Sequence, residues 1–250
     1  MVNLKNWDQL LDSFCLHTFF LNFFKITLRR HIIPLSLFFE YYQDKIILEI
    51  LNHIKIVAMS IPISILVSVS LGFYISSRPN IAKYVINVAS IMMTIPSLAL
   101  YGVMVVLLAP FKLGLGIVPA ISAITIYSLL PITRNTYLAL NQVKPGMIEA
   151  ARGIGMSKNQ ILWKIKIPLS IPVIMSGLRI AIVMGISVAT YASLIAAGGL
   201  GYFIFAGIGR ANLTMVLVGA ILISTLGIGV NYMLLKVEDW ITPKGLKVKR

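Results

Sequence analysis

Charge is scarce in this chain, and acidic charge scarcest of all. Only 12% of its 250 residues are charged, with 8 Asp or Glu against 22 Lys or Arg. A soluble domain carries about twice that share of charge. With 58% hydrophobic residues, a water-soluble globular form is excluded and an integral membrane protein is implied. Cys15 is the only cysteine, so neither an intrachain disulfide nor a cysteine metal cluster can form. The three histidines, His17, His31 and His53, all precede the first long apolar window. None has a partner at ligand spacing, and each is read as having no special role; no metal site is expected. No Gly-rich loop followed by Lys-Ser/Thr occurs, so the chain is not expected to bind ATP itself. No alternation of strand type competes with helix. Asp8 and Asp12 precede the apolar stretch at 14–24, and no small-residue cleavage site follows, so no cleavable signal is read.

What is abundant is long, charge-free sequence. Five windows, 56–77, 84–111, 113–133, 180–209 and 211–235, each lie between basic residues. Each exceeds the ~20 residues that cross ~30 Å of hydrocarbon as a helix. The expectation is an all-α polytopic membrane protein of about five transmembrane helices. The net charge of +14 would suggest nucleic acid in a soluble protein. Here the cations collect in the gaps between windows, a pattern of loops facing an anionic cytoplasmic leaflet, so no nucleic-acid partner is expected. Arg78 and Lys83 follow the first window. Arg134, Lys144, Arg152, Lys158, Lys164 and Lys166 follow the third, and Lys236, Lys244, Lys247, Lys249 and Arg250 follow the fifth. With five spans all three groups share the cytoplasmic side.

Residues 1–53 read as an N-terminal extension, either interfacial or partly amphipathic or simply loose, because a sixth span there would bury Lys25 at a cost of about 2.5–3.5 kcal/mol. Residues 54–236 form the transmembrane domain and 237–250 a basic tail. Pro62, Pro96, Pro119 and Pro131 fall inside the spans. Each removes a backbone donor and favours a kink, read either as bundle geometry or as a hinge.

One polar segment between apolar blocks, 142–172, carries helix signals of its own. Pro145 suits the first position of a helix, and Glu149 is placed near its positive end. Ala150 and Ala151 make a small-residue face. Gly153 and Gly155 stop the helix, Gly155 in the left-handed conformation. Ser157 and Gln160 form a capping box that starts a second helix. Ile161, Leu162 and Ile165 give that helix an apolar face, and Pro168 and Pro172 end it. The product is a helix–glycine–helix hairpin in water. It either packs on its own bundle or receives another protein.

The spacing Glu149-Ala150-Ala151, three residues, Gly155, nine residues, Ile165, one residue, Ile167-Pro168 resembles the EAA loop of ABC-importer permeases, with Ile167 where that pattern usually has Leu. Thr94-Ile95-Pro96-Ser97-Leu98-Ala99-Leu100, the run from Tyr127 through Arg134 to Tyr137, and Ala197-Gly198-Gly199-Leu200-Gly201 resemble the permeases of osmoprotectant importers. The likeness extends roughly from Tyr41 to the end. It implies a type I ABC importer permease fold with a cytoplasmic coupling-helix hairpin. It implies that Glu149, Ala150, Ala151, Gly155, Ser157, Ile165 and Pro168 couple the chain to a separate cytoplasmic ATPase, where ATP and Mg would bind; no cofactor is expected on this chain. It also implies a separate extracytoplasmic binding protein, a second copy or sister permease, a bacterial cell membrane, and alternating access for glycine betaine, carnitine or choline. Tyr202 stands where related sequences often carry a polar or acidic residue.

For the substrate path the candidates are Tyr101, Tyr127 and Tyr191, whose faces would suit a quaternary ammonium, and Gly198, Gly199 and Gly201, which suit a tight re-entrant turn at the outer mouth. Packing and an ordinary loop are the alternatives. The five windows contain no carboxylate. Arg134 and Arg179 read as snorkelling or as inner-gate contacts. Two rival functions stand beside the osmoprotectant reading: the same machine carrying methionine or another amino acid, and a passive channel or membrane scaffold.

Overall fold

The computed structural model describes residues 35–242. The expectations placed on residues 1–34, Cys15, His17 and His31 among them, and on tail residues 243–250 lie outside that range. Within it every regular element is helical.

α1 (Leu35–Ser76) is one helix of 42 residues, about 63 Å long at ~1.5 Å per residue. It runs unbroken through the boundary expected between residues 53 and 54. Lys45, Glu49 and His53 interrupt the apolar run in the sequence, yet they do not end the helix. Their polar atoms find partners inside the protein.

α2 (Pro79–Thr94) and α3 (Ser97–Leu108, extended by a 3₁₀ turn at Ala109–Phe111) are bent 101° from each other. The break is at Ile95-Pro96, where Ile95 is extended (ψ 126°). A residue before proline disfavours the α region, and proline brings no donor, so the window 84–111 is a bent pair, not a rod. α4 (Ile117–Asn141) follows, then α5 (Pro145–Gly153), α6 (Lys158–Ile161), a π-helical turn at Leu162–Lys166, and α7 (Ile167–Val188). A 3₁₀ stretch (Ala189–Ile195), a turn, α8 (Gly201–Gly209) and α9 (Leu213–Ile241) complete the described chain.

Among the described residues four helices are long and apolar enough to cross a membrane, Ser36–Ser76, Ile117–Asn141, Lys158–Ile195 and Leu213–Ile241, and the bent pair makes a fifth if its two arms count as one span. The spans thus agree in number with the expectation but not in bounds. The window 180–209 is not one span. Its helix begins well before residue 180, with Arg179 inside α7, and it breaks at 196–200. Glycine and alanine carry no charge, so a charge-free window runs through a turn without registering it.

Two apolar clusters hold the bundle. The larger joins α1, α3, α4 and α7 through Ile56, Leu100, Ala123, Ile124, Ile182 and Ile186. The smaller packs Phe38 and Ile46 of α1 on Leu200, Phe203, Met215 and Val218 of the α8–α9 unit. The largest helix interface is α1 on α4, followed by α4 on α7. Along α1, Ser60, Ser64 and Ser68 are all fully buried. Ser60 and Ser64 return their hydroxyls to carbonyls of Ile56 and Ser60 in the preceding turn. Thr133 of α4 donates to the Ser68 carbonyl at 3.1 Å. The hydroxyls of Ser60, Ser64 and Thr133 are thereby buried with a hydrogen bond made, as a lipid setting demands, whereas the Ser68 hydroxyl is buried without a partner.

The chain has two ends. Asn141, the start of α7 and Ile241 define one. The start of α4 and the end of the 3₁₀ stretch meet at the other, where Gly116 N–H donates to the Ile195 carbonyl at 2.8 Å.

Candidate functional site

At the first end stands the hairpin. α5 begins with Pro145 at its first position and ends at Gly153, as its punctuation requires. Gly155 has φ +82°, a conformation that costs an ordinary L-residue about 1–2 kcal/mol. Two hydrogen bonds close the turn: Gly155 N–H to the Arg152 carbonyl (2.9 Å) and Met156 N–H to the Ala151 carbonyl (3.0 Å). Together they are the paired 6→1 and 5→2 bonds of a Schellman cap. Ser157 then starts α6. Its backbone N–H donates to Gln160 Oε1 (2.8 Å) and Gln160 N–H donates to Ser157 Oγ (3.3 Å), so the capping box is complete.

Three details differ from the expectation. Glu149 is the fifth residue of α5, and the first turn holds no acid, so a favourable helix-dipole placement does not explain it. Ala151 is buried while Glu149, Ala150 and Gly155 are exposed, so the small-residue face is divided between bundle and solvent. Pro168 and Pro172 do not end the second helix. Proline would leave the carbonyl four residues back without its donor. A π turn intervenes at Leu162–Lys166, with Ile167 N–H reaching back to the Leu162 carbonyl, and the helix passes into α7 with Pro168 in its first turn and Pro172 inside it. Ile165 and Pro168 are half-buried.

The exposed hairpin surface is more apolar than its motif indicates. Ile154 is 80% exposed and Trp163 69% exposed, with Met147 also open. Ile154 follows the helix stop, and its place between two glycines was the signal in the sequence. Beside this surface is a cleft of about 430 Å³ against the end of α1, lined by Ser77, Arg152, Lys158 and Lys166, with no carboxylate in its wall. Ser77 in this wall also brings the α1–α2 connection to the hairpin end, as the clustering of basic loops requires.

Arg179, read either as snorkelling or as an inner-gate contact, forms an ion pair with Glu238 of α9 at 2.8 Å. The pair ties the helix leaving the hairpin to the end of the last span. Glu238 and Glu49 are buried carboxylates that the window reading missed, since both lie in long apolar helices outside the charge-free windows.

The three tyrosines lie in and around the larger core. Tyr101 is buried and donates its hydroxyl to the Val188 carbonyl at 3.2 Å. Tyr127 donates to the Ile95 carbonyl. Each therefore serves a carbonyl at a helix break, one at the α2–α3 bend and one at the end of α7. Tyr191 is half-buried between the rings of Tyr101 and Phe205, with centroids 6.2 and 5.8 Å away.

The glycine turn is built as a tight re-entry. Ala196, Gly198 and Gly199 have φ of 61°, 79° and 103°. A Cβ on Gly201 would lie 1.8 Å from the Thr190 carbonyl oxygen, so only glycine lets α8 start against the 3₁₀ stretch. The turn rests on α1. Glu49, 3% exposed, accepts the Gly199 N–H at 2.6 Å and pairs with Lys45 at 2.8 Å. His53, fully buried, accepts the Leu200 N–H on Nδ1 (3.3 Å) and donates from Nε2 to the Ile186 carbonyl (3.1 Å). The reading of His53 as a residue without a role is therefore corrected. Its partners are 133 and 147 positions away, so no local pattern could announce them.

These features can be set beside known proteins. Residues 64–242 match the family model described as "Binding-protein-dependent transport system inner membrane component". The chain is 40% identical over 196 residues to the osmoprotectant import permease protein OsmW of Salmonella typhimurium, covering 78% of this chain and 91% of that protein. It is 39% identical over 213 residues to the carnitine transport permease protein OpuCB of Listeria monocytogenes, covering 85% and 95%. It is 36% identical over 196 residues to the choline transport system permease protein OpuBB of Bacillus subtilis, covering 78% and 88%. Its fold is similar to a chain of the MetNI methionine ABC transporter in an inward-facing conformation, with TM-score 0.72 and 20% identity, covering 82% of this chain and 99% of that one. With its multi-span helical bundle, its water-facing hairpin and a family match over most of its length, this chain belongs to the inner membrane components of binding-protein-dependent transport systems.

Proposed function

We propose that this chain is the permease subunit of a bacterial cell-membrane importer for osmoprotectants such as glycine betaine, carnitine or choline. The relatives that match it across most of their own length are named for osmoprotectant, carnitine and choline transport, and this observation carries the cargo class. The likeness to the methionine transporter supports the fold alone.

In this reading the hairpin receives a separate ATPase that holds ATP and Mg. The docking core is Glu149, Ala150 and Gly155, with Ala151, Ile165 and Pro168 holding the hairpin's shape from behind and the exposed Ser157 capping α6. The exposed Ile154 and Trp163 enlarge the apolar contact, and the basic cleft beside it suits an acidic rim on the partner. At the opposite end a cargo-loaded binding protein meets the mouth formed around the 196–200 turn. Two permeases, identical or sister, enclose the path. Two ATPases closing on ATP would push the hairpins, and the ion pair Arg179–Glu238 would carry that push to α9. Tyr191, whose ring is less enclosed than those of Tyr101 and Tyr127, is the aromatic best placed to face a passing quaternary ammonium.

The test is co-purification with the ATPase and binding protein encoded beside this chain, followed by uptake of labelled glycine betaine into proteoliposomes, with methionine in parallel. Betaine uptake that requires both ATP and binding protein is the expected result. Methionine uptake in its place would overturn the cargo class. Failure of any ATPase to associate would overturn the importer reading.

A further inference from the structure

Four side chains on one stretch of α1 converge on the glycine turn. Glu49 holds the Gly199 N–H and His53 the Leu200 N–H, two consecutive backbone donors in a segment that is neither helix nor strand. Lys45 pairs with Glu49 Oε1, and Asn52 Nδ2 donates at 3.3 Å to Oε2, the oxygen that also accepts the Gly199 N–H. His53 also reaches the Ile186 carbonyl near the end of α7. A single imidazole therefore bridges α1, the last turn of α7 and the segment leading into α8. The Leu200 N–H can only donate, so the ring hydrogen belongs on Nε2, where it serves Ile186. Buried polar groups with their hydrogen bonds made specify one arrangement strongly, because any other leaves a buried donor unsatisfied.

The turn sits close against these side chains. A Cβ on Gly198 would come within 2.8 Å of Asn52 Nδ2, and one on Gly199 within 3.3 Å of His53 Nδ1. Directly after the turn, Leu200 and Phe203 enter the smaller core with Phe38 and Ile46 of the same α1. Polar and apolar contacts thus fix the start of α8 to one face of α1, at the end of the bundle opposite the hairpin.

We infer that Glu49 and His53 are positioning residues of the transport path, a latch that holds the Gly198–Leu200 turn and α8 in the geometry that the cargo-loaded binding protein meets. The inference rests on the importer reading for what the mouth meets, and on this structure for the latch itself. A latch with this role acts on productive docking at the mouth. It leaves the ATPase end of the molecule alone.

The experiment uses the complete reconstituted complex of permease, ATPase and binding protein, comparing wild type with His53→Leu and the conservative His53→Gln, whose amide can both accept and donate. Uptake is titrated against cargo-loaded binding protein, and ATP hydrolysis is measured without it. Leaving Leu200 N–H and the Ile186 carbonyl unpaired should raise the half-saturating binding-protein concentration about tenfold in H53L. Basal hydrolysis per assembled complex should stay within about twofold of wild type, and H53Q should recover most of the loss. If H53L does not assemble, the same titration is read on Glu49→Leu, which removes the acceptor of the Gly199 N–H and leaves the turn's own residues unchanged. An unchanged half-saturation in the assembled variant would overturn the inference, as would H53Q behaving no better than H53L.

Amide hydrogen exchange separates this from failure of the importer reading. If wild type shows no binding-protein-dependent uptake, the importer reading falls, while the latch still requires faster exchange over residues 196–203 in H53L with exchange over 145–166 unchanged. Equal exchange in both segments would sink the latch on its own.

Discussion

The hairpin and the glycine turn both rely on a residue in the left-handed region and both stand at an end of the bundle, yet they are held in different ways. The hydrogen bonds that shape the hairpin join residues three to five positions apart, from Met156 to Ala151 and between Ser157 and Gln160. Those that seat the turn join residues 147 and 150 positions apart. The hairpin is exposed around Glu149, Ile154 and Gly155, and the turn is pressed onto buried Glu49 and His53. A device that shapes itself locally can keep its surface free for a partner. One that depends on distant helices reports whether the whole bundle has closed.

The comparison predicts that damage at the hairpin costs function without stability, and the sharpest test is Glu149→Lys. Reversing charge on an exposed helix disturbs no internal contact. Placed against a partner chosen for the original sign, it is costly. Uptake should fall at least about 100-fold, with ATPase co-purification weakened and membrane insertion normal. Wild-type uptake would remove the hairpin from the coupling role.

Gly201→Ala inverts that pattern. Its Cβ would stand 1.8 Å from the Thr190 carbonyl oxygen, so the backbone must move. Such overpacking costs about 1–3 kcal/mol or more, enough to lower the amount of assembled complex several-fold. Normal yield with normal thermal stability in detergent would show that the turn is looser than its packing indicates. Gly155→Val falls between. The left-handed position resists a β-branched residue, yet a Cβ there meets no neighbour. Yield should hold while uptake drops roughly tenfold, and Gly155→Asn, which tolerates that conformation, should retain much of the activity.

This contrast also explains what the sequence could reveal. The hairpin was legible because Pro145, Gly155, Ser157 and Gln160 each act on their own neighbours. The number of spans was legible because lipid fixes their length. The bend at Ile95-Pro96 was half legible: proline marked the place, but a 101° turn depends on what packs inside it. The latch and the Arg179–Glu238 pair were not legible. Glu49 and His53 read as breaks in an apolar run, because composition counts a buried, paired polar group as a cost and cannot see its partner. The tyrosines were found for a different reason. Their aromatic faces suggested a ligand, whereas the hydroxyls of Tyr101 and Tyr127 serve carbonyls freed by the irregular helices.

The mildest test of the comparison is Ser157→Ala. It removes the hydroxyl that accepts Gln160 N–H and dissolves the capping box. A lost N-cap costs about 1 kcal/mol. α6 itself has only four residues, but it runs on through the π turn into α7, which the bundle holds. Fraying should therefore stop near Leu162. Amide exchange should quicken over residues 157–162 and nowhere else, and uptake should fall by less than about fivefold. If faster exchange reached the 196–200 turn instead, the two ends would be coupled through α7 in the resting molecule, and the separation of local from distant construction would be wrong.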